Sequence, residues 1–453
     1  MNIGKILKEQ QDMKQSNYNF IYEFEPDENS VLIYNSRTNA LAVMDAEHTH
    51  MFNAFVHDNS EITDEAFLKS LVEGGFVVED DVSELSIIKY QLLSSRFNTK
   101  VLALTIAATS DCNFRCIYCY EKNSMKSGSK MTDETKENLM KFIEEQLDTT
   151  EQLSINWYGG EPLLVMDIIE DMSGRLIKLC EEKGVAYTAG IVTNGYLLST
   201  EIARRLAVCK VTNMQITIDG PEEIHNKRRP LAGGQGTFKK ILENVKDSKG
   251  FIDHISIRIN TDKENVNETN KLIKDIKEMG VDSENVSFYL GLVESHNGCY
   301  LDEKCLTAEA FSKKHLDFMK ENGIQLMNAY PALVANFCGA DLKNSFVVDS
   351  AGLLYKCWND VGVAERAVGS VALQDAEDTR RYNDSLYYDY MLYDATEDVE
   401  CRDCKFLPIC MGGCPFRRRG NGNRCVDKKY IMEEYLRECA TVLMRTESQT
   451  PCQ

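Results

Sequence analysis

Six short apolar stretches rich in β-branched residues recur between Val101 and Leu292, separated by segments with helical spacing. The predicted strands are residues 101–107, 153–157, 186–192, 214–218, 254–260 and 286–292. The predicted helices lie around 135–146, 166–182, 199–208, 238–249 and 266–279. Buried β-branched strands alternating with amphipathic helices are the signature of parallel βαβ units. Six of them make either an open doubly wound sheet or an incomplete (β/α) barrel. In both, the loops after the strand C-termini build the site.

A chain of 453 residues has length left over for about two further units. Residues 1–95 read as a small separate module. Residues 19–25, 31–34 and 41–44 have the alternation of short strands, with a turn at 26–29 between the first two. Helical spacing follows at 45–57 and 63–73, and Gly74-Gly75 stops the second helix. A winged-helix-like module and a lid packed on the rest of the chain both suit this pattern. After about residue 325 the βα rhythm gives way to loop-rich, cysteine-rich sequence that ends in a helix at 430–444 and a polar tail.

Composition excludes several classes. Hydrophobic residues make up 43 %, enough for a full core, so neither general disorder nor a disulfide mini-protein fits. The formal charge of −20 repels phosphate backbones and argues against nucleic-acid binding. No apolar run approaches the roughly 18 residues that span a bilayer, and residues 1–14 have no signal-peptide core. The expectation is a cytoplasmic protein with no membrane partner. In such a compartment clustered cysteines indicate metal ligation or redox chemistry rather than disulfides. There are sixteen, with three inside Cys112–Cys119 and five inside Cys401–Cys425.

The first group, Cys112-x3-Cys116-x2-Cys119, directly follows the first predicted barrel strand. Three soft ligands suit an iron–sulfur cluster with one iron left open for a small molecule; a zinc site with a distant fourth ligand is the alternative. The motif in this place, with Tyr118 just before the third cysteine, resembles the radical S-adenosylmethionine (SAM) enzymes. The resemblance extends to later loops. Gly159-Gly160-Glu161-Pro162 matches the family loop that binds the SAM amino group. Thr193 and Asn194, with Gly195, stand where members contact the SAM ribose or carboxylate, and Arg258 and Asn260 end the fifth strand, where contacts of the same kind occur. Asp219-Gly220-Pro221 with His225, Arg229 and residues 233–238 matches a segment of the branch acting on peptides and proteins. By this resemblance Cys112, Cys116 and Cys119 hold a catalytic [4Fe–4S] cluster. It cleaves SAM to a 5′-deoxyadenosyl radical that abstracts a substrate hydrogen.

The second group comprises Cys338, Gly352 and Cys357, then Cys401-x2-Cys404-x5-Cys410-x3-Cys414 and Cys425. Spacing alone admits two zinc ions in a ribbon-like module. The whole pattern resembles the SPASM domain, which holds two auxiliary [4Fe–4S] clusters and brings the expected total to three. By that resemblance Cys401, Cys404, Cys410 and Cys425 hold one, and Cys338, Cys357 and Cys414 the other. The segment before Cys338 lacks the further cysteine some members have, so this cluster either recruits Cys299 or Cys305 or keeps an open iron. Cys439 competes with Cys425 as the last ligand of the first. Cys180, Cys209 and Cys452 carry no motif and read as core or surface thiols.

The implied fold class is α/β: a partial (β/α)6 TIM barrel radical SAM core at 96–325. It is flanked by an N-terminal winged-helix-like leader-binding domain at 1–95 and a C-terminal SPASM iron–sulfur domain at 326–453. Anaerobic sulfatase-maturing enzymes share the barrel and SPASM pattern but generally start near the first strand. They also place an Asp base directly after the cysteine matching Cys357, where this chain has Trp358, with Asp360 two residues on. The N-terminal module points instead to a maturase of ribosomally synthesised precursor peptides. Such an enzyme holds the leader and joins a core cysteine to carbon as a thioether, of the sactipeptide or ranthipeptide type. Epimerisation or carbon–carbon cross-linking on the same scaffold, formylglycine formation, and a non-catalytic iron–sulfur electron carrier are the alternatives. A flavodoxin or ferredoxin is the expected electron donor.

Overall fold

The structure, a computed structural model, describes residues 10–24, 29–123, 129–295, 298–372, 382, 384–420 and 424–447. Most of the expected turn at 26–29, and Cys452, lie outside them. Contacts divide the chain into two compact units, each assembled from separated segments. One joins Met1–Arg96, Gly323–Phe337 and Tyr393–Gln453; the other joins Phe97–Asn322 and Cys338–Leu392.

In the first unit β1 (Met13–Gln15) has its partner in a strand much further along. β2 (Asn19–Glu23), β3 (Val31–Asn35) and β4 (Ala40–Met44) form an antiparallel sheet in that order, with Ile21 opposite Ile33 and Ile33 opposite Ala42. β5 (Val77–Glu79) pairs antiparallel with β1. Helices Ala46–Asp58 and Glu65–Glu73 are each opened by an aspartate. Asp45 accepts from the His48 N–H and Asp64 from the Phe67 N–H, satisfying donors a helix start leaves bare. Their apolar faces bury Phe52, Phe55, Leu68 and Leu71 against Ile33, Met44 and Phe76. The next helix, Glu84–Arg96, buries Ile88 and Leu92 with Leu407 and Met411 of the C-terminal segment. Phe20 meets Phe406 edge-on at 4.9 Å, and Arg96 binds Asn336 and the Tyr393 carbonyl. The N-terminal module and the later cysteine-rich segment therefore share one core.

Among the described residues the second unit is built on a sheet of nine strands. β6 (Val101–Ala107), β7 (Gln152–Tyr158), β8 (Ala186–Thr193), β9 (Val211–Thr217), β10 (His254–Thr261) and β11 (Val286–Leu292) are parallel neighbours in chain order. Sequential order without a reversal is the winding of a barrel, not of a doubly wound sheet. The barrel is incomplete: beyond β6 come β12 (Ser345–Val348, parallel to β6), β13 (Leu353–Tyr355) and β14 (Gly369–Ser370), and the sheet ends at β11 and β14. The sequence reading missed these last three strands. Each has two to four residues, too short to show a period.

Side chains alternate sharply along the barrel strands. On one face of β7 and β10, Leu153, Ile155, Trp157, Ile255, Ile257 and Ile259 are at most 1 % exposed. The opposite face carries Ser154, Asn156, Ser256, Arg258 and Asn260, all partly exposed. Helices Met166–Lys183 and Phe238–Ser248 each bury an apolar face of their own, including Ile169, Leu176, Ile241 and Val245. Each such fully buried side chain contributes about 1.5–3 kcal/mol. The opposite strand face leaves a polar inner wall beneath the strand C-termini.

Candidate functional site

The loop after β6 carries Cys112, Cys116 and Cys119, and backbone hydrogen bonds set its path. Arg115 N–H donates to the Pro230 carbonyl (2.9 Å), Ile117 N–H to Arg228 (3.0 Å), and Ala232 N–H to Asn113 (2.8 Å). Phe114, 1 % exposed, pins the middle of the loop, and its N–H points at Cys112 Sγ at 3.4 Å. Burial pushes the Cys112 and Cys119 thiols up to about 12 and the Cys116 thiol upward as well. Their nearest charged neighbours include one another. Thiols held so reluctant to ionise are deprotonated by binding iron, which replaces the proton.

Among the described residues no three His, Cys, Asp or Glu side chains converge as ligands of a single metal ion. An iron–sulfur cluster takes its thiolates on different irons. Three soft donors on one loop, beside the buried and unpartnered Nε of Arg229, fit such a cluster. Cys112, Cys116 and Cys119 would hold it.

The loop after β7 lies against this loop. Gly160 N–H donates to the Thr109 carbonyl at 3.0 Å and Glu161 N–H to that of Asp111 at 2.8 Å. A Cβ on Gly159 would stand 2.3 Å from the Thr109 carbonyl oxygen, and one on Gly160 2.3 Å from that of Asp111. The two glycines are thus required by backbone packed on backbone. Glu161 is fully buried, and both its oxygens are taken. It accepts from Leu163 N–H (3.0 Å), Thr193 Oγ1 (2.6 Å) and Asn194 N–H (2.8 Å). Burial still raises its pKa. Pro162, also buried, opens the helical turn Pro162–Val165 that Glu161 caps. Asn194 Nδ2 reaches back to Asn113 Oδ1 at 2.7 Å, so the loops after β6, β7 and β8 interlock.

Tyr118 is the hub of a buried polar network. Its hydroxyl donates to Asp219 and accepts from Arg229 Nη1 (2.8 Å) and Asn260 Nδ2 (3.0 Å). Arg228 lies 3.6 Å from Asp219 and 2.7 Å from Asp262, and Tyr300 donates to Asp262 at 2.6 Å. His225 accepts from Asp219 N–H at Nδ1, which leaves Nε2–H to donate to Thr237 Oγ1 (3.1 Å). Burial, with Arg229 and Arg228 nearby, holds its pKa well below the usual value, so the ring is neutral. Arg258 bonds Asn260 Oδ1 at 2.8 Å from the polar inner wall. Sequence motifs pointed to Asp219, His225 and Arg229 but missed Asn113, Arg228, Asp262 and Tyr300, which carry no local pattern.

A cavity of about 170 Å³ opens beside these loops, lined by Ala107, Ser110, Glu121, Gly160, Asp349 and Tyr355 among others. Burial pushes the Glu121 carboxyl up to about 7 and raises that of Asp349. Nearby, Tyr120 and Tyr158 meet through their hydroxyls, and the Tyr158 ring lies 4.7 Å from that of Trp358. The residue after Cys119 and the residue after Cys357 are thereby joined through Tyr158. Asp360 is 1 % exposed, paired with Arg366 at 3.0 Å and bonded by Tyr390 at 3.2 Å.

The remaining cysteines separate by unit. Cys401, Cys404, Cys410, Cys414 and Cys425 belong to the first unit, Cys338 and Cys357 to the second. Cys410 feels the charges of Cys425 and Cys404, and Cys401 that of Cys410. Lys429 Nζ stands 3.5 Å from Cys425 Sγ. Cys439 lies elsewhere, 0 % exposed beside Tyr435. Cys299 Sγ faces the Tyr120 carbonyl at 3.6 Å, and Cys305 Sγ that of Leu301 at 3.7 Å. Cys180 and Cys209 are buried, as core thiols.

Residues 106–276 match the family model of the radical SAM superfamily. The cysteine-type anaerobic sulfatase-maturating enzyme of Clostridium perfringens (strain 13 / Type A) is 24 % identical over 352 residues, which cover 72 % of this chain and 92 % of that protein. Among solved structures, native anSMEcpe with bound AdoMet and Cp18Cys peptide is similar at a TM-score of 0.57 and 22 % identity, over 76 % of this chain and 99 % of that one. Streptococcus suis SuiB bound to precursor peptide SuiA is similar at a TM-score of 0.51 and 16 % identity, over 89 % of this chain and 95 % of that one.

Proposed function

We propose, from the premise that the chain carries a radical SAM domain at residues 106–276, that it is a maturase forming cysteine thioether cross-links in a ribosomally synthesised precursor peptide. When bound, a [4Fe–4S] cluster and SAM supply a 5′-deoxyadenosyl radical that takes a hydrogen from the substrate. The chain's own residues position and shield that chemistry. Glu161, Thr193 and Asn194 lock the loops around Cys112, Cys116 and Cys119, and Tyr118 braces the same loop from Asp219 and Arg229. In this reading residues 1–95 capture the leader, residues 96–325 perform the hydrogen abstraction, and residues 326–453 hold two auxiliary clusters.

The observation that carries the reading is the N-terminal module itself. Its sheet β2–β3–β4 has two edge strands, each paired on one side only among the described residues, with Ile21 40 % and Val43 37 % exposed on them. A peptide captures such an edge through main-chain hydrogen bonds. In fold the likeness to anSMEcpe covers 76 % of this chain, whereas that to SuiB, which is bound to a precursor peptide, extends over 89 %. Formylglycine formation is the second reading, favoured by the first relatives. Against it, Trp358 packs on Tyr158 at the position that would hold the base, and Asp360 is tied to Arg366 and Tyr390.

Anaerobically reconstituted, reduced protein is expected to convert SAM to 5′-deoxyadenosine. A cysteine-containing precursor peptide should lose two hydrogens and no sulfur, as read by mass spectrometry. Epimerisation leaves the mass unchanged and formylglycine formation removes the cysteine sulfur; either result refutes thioether formation. An iron-loaded, strongly reduced protein that releases no 5′-deoxyadenosine refutes the enzyme reading.

A further inference from the structure

Two arginines reach the three-cysteine loop from close by: Arg115, on the loop itself, turns to the Cys112 and Phe114 carbonyls, and Arg229 enters from the segment after β9. Arg229 is 7 % exposed, and its backbone is fixed at both ends: its N–H donates to the His225 carbonyl (2.8 Å), and its own carbonyl accepts from Thr237 Oγ1 (2.8 Å). Its guanidinium is clamped by the residues two before and two after Cys116. The Phe114 ring centroid lies 5.7 Å away, and the Tyr118 hydroxyl accepts from Nη1 at 2.8 Å. Of the charged groups around Cys116, Arg229 acts on its thiol most strongly, and it acts on Cys112 as well. Asp219 and Glu161 are the anions nearby; Asp219 is engaged by Tyr118, Asn260 N–H and Arg228, and Glu161 by three donors of its own. Arg228 is turned to Asp219 and Asp262. Two buried donors remain without a hydrogen-bond partner: Arg228 Nε, which faces Asp219 at 3.6 Å, and Arg229 Nε. A buried N–H left bare is costly; Arg228 Nε has the Asp219 carboxylate before it, whereas the retention of a bare Arg229 Nε calls for an acceptor that the protein alone does not provide.

We propose that Arg229 sets the reduction potential of the cluster held by Cys112, Cys116 and Cys119, its Nε–H donating to cluster sulfur or to the Cys116 thiolate. The inference rests on the radical SAM reading of those three cysteines. Potentials of such clusters follow net charge, hydrogen bonds to sulfur and solvent exposure. A fixed positive charge in a poorly screened site favours the state with one more electron. In the step concerned one electron from an added low-potential reductant takes the core from 2+ to 1+. No bond forms or breaks, and no proton moves, because the guanidinium stays protonated throughout.

The test is an EPR-monitored redox titration of anaerobically reconstituted full-length protein, comparing wild type with Arg229→Met and Arg229→Lys. The relevant signal is the one that changes shape on adding SAM and is missing in Cys116→Ala. The midpoint of iron-loaded Arg229→Met is expected to move to more negative potential, with Arg229→Lys between it and wild type. An unmoved midpoint in loaded Arg229→Met overturns the proposal. Should that variant fail to take up iron, pulsed EPR of wild type labelled with 15N-arginine decides: a nitrogen coupling to the reduced cluster, lost in Arg229→Lys, is expected, and its absence from wild type overturns the proposal. Wild type that yields no SAM-responsive signal at all overturns the radical SAM reading itself, a different outcome from a SAM-responsive cluster indifferent to Arg229.

Discussion

Thr193 Oγ1 donates to Glu161 Oε1 at 2.6 Å, so the loop after β8 hangs on a carboxylate from the loop after β7. The other oxygen takes the Asn194 N–H at 2.8 Å, and Asn194 in turn reaches Asn113 beside Cys112. Glu161→Ala strips three buried donors of their acceptor, each costing ~1–3 kcal/mol when left unsatisfied. The expected loss is about 3–5 kcal/mol, read as a lower apparent melting temperature, together with failure of the three-cysteine loop to hold iron. Glu161→Ala that melts like wild type and loads iron normally would show that the carboxylate does not hold these loops.

Gly160 and Gly174 make a matched pair for asking what a methyl group costs. At Gly160 it would meet the carbonyl oxygens of Asp111 and Ser110 at 2.3 and 2.5 Å, both backbone. Gly160→Ala must therefore push the two loops apart, at about 1–3 kcal/mol or more, and SAM binding measured by calorimetry should be lost while far-UV circular dichroism stays native. Gly174, exposed inside the helix Met166–Lys183, has nothing within 4 Å of a Cβ, and Gly174→Ala should stabilise by roughly 0.5–1 kcal/mol. Equal behaviour of the two variants would contradict the close approach at Gly160.

What was legible in the sequence was what is local. The strand–loop pairs that carry Cys112–Cys119, Gly159–Pro162 and Thr193–Asn194 announce themselves within a few residues of one another, and their alternation with helices marks parallel βαβ units without deciding between a barrel and a doubly wound sheet. The network behind them does not. Asn113 and Asn194 are 81 positions apart, and Arg228 and Asp262 are 34; neither pair has a spacing that secondary structure imposes. The glycines of the β7 loop were legible as a motif, but their reason was not. That a Cβ at these positions would meet the Thr109 and Asp111 carbonyls could not be read from the motif. β12 escaped because Ser345–Val348 is four residues long and gains its stability from pairing with β6. The core shared by Ile88, Leu92, Leu407 and Met411 joins sequence ends that no periodicity could connect.

His225 supplies a pH dependence whose sign is fixed by its surroundings. Its pKa lies well below the ordinary value near 6.5 because burial, and then the cations Arg229 and Arg228, disfavour imidazolium. The unfolded chain therefore binds a proton below about pH 6.5 that the folded chain does not. The stability this neutral ring contributes is complete above pH 6.5 and is lost as the pH falls, by up to about 1.4 kcal/mol per pH unit. In His225→Gln that acid-side slope should be shallower when melting temperatures are compared from pH 7 to pH 5. An identical slope in the two proteins would mean that another group carries the acid sensitivity.

Cys116 and Cys410 should fail independently, because they belong to different compact units. Cys116 sits on the β6 loop, whereas Cys410 ends the short helix Leu407–Cys410, whose Leu407 packs with Ile88 and Leu92 of the N-terminal module. Binding free energy at a site of four thiolates becomes folding free energy for the core around it. Cys410→Ala is therefore expected to reduce iron content and also to expose residues 10–96 to limited proteolysis, although none of those residues is a ligand. Cys116→Ala should abolish SAM cleavage while leaving both the remaining iron absorbance and the protease resistance of residues 10–96 in place. If Cys116→Ala loses all iron together, or Cys410→Ala leaves the N-terminal module fully resistant, the metal sites and the compact units are not coupled in this way.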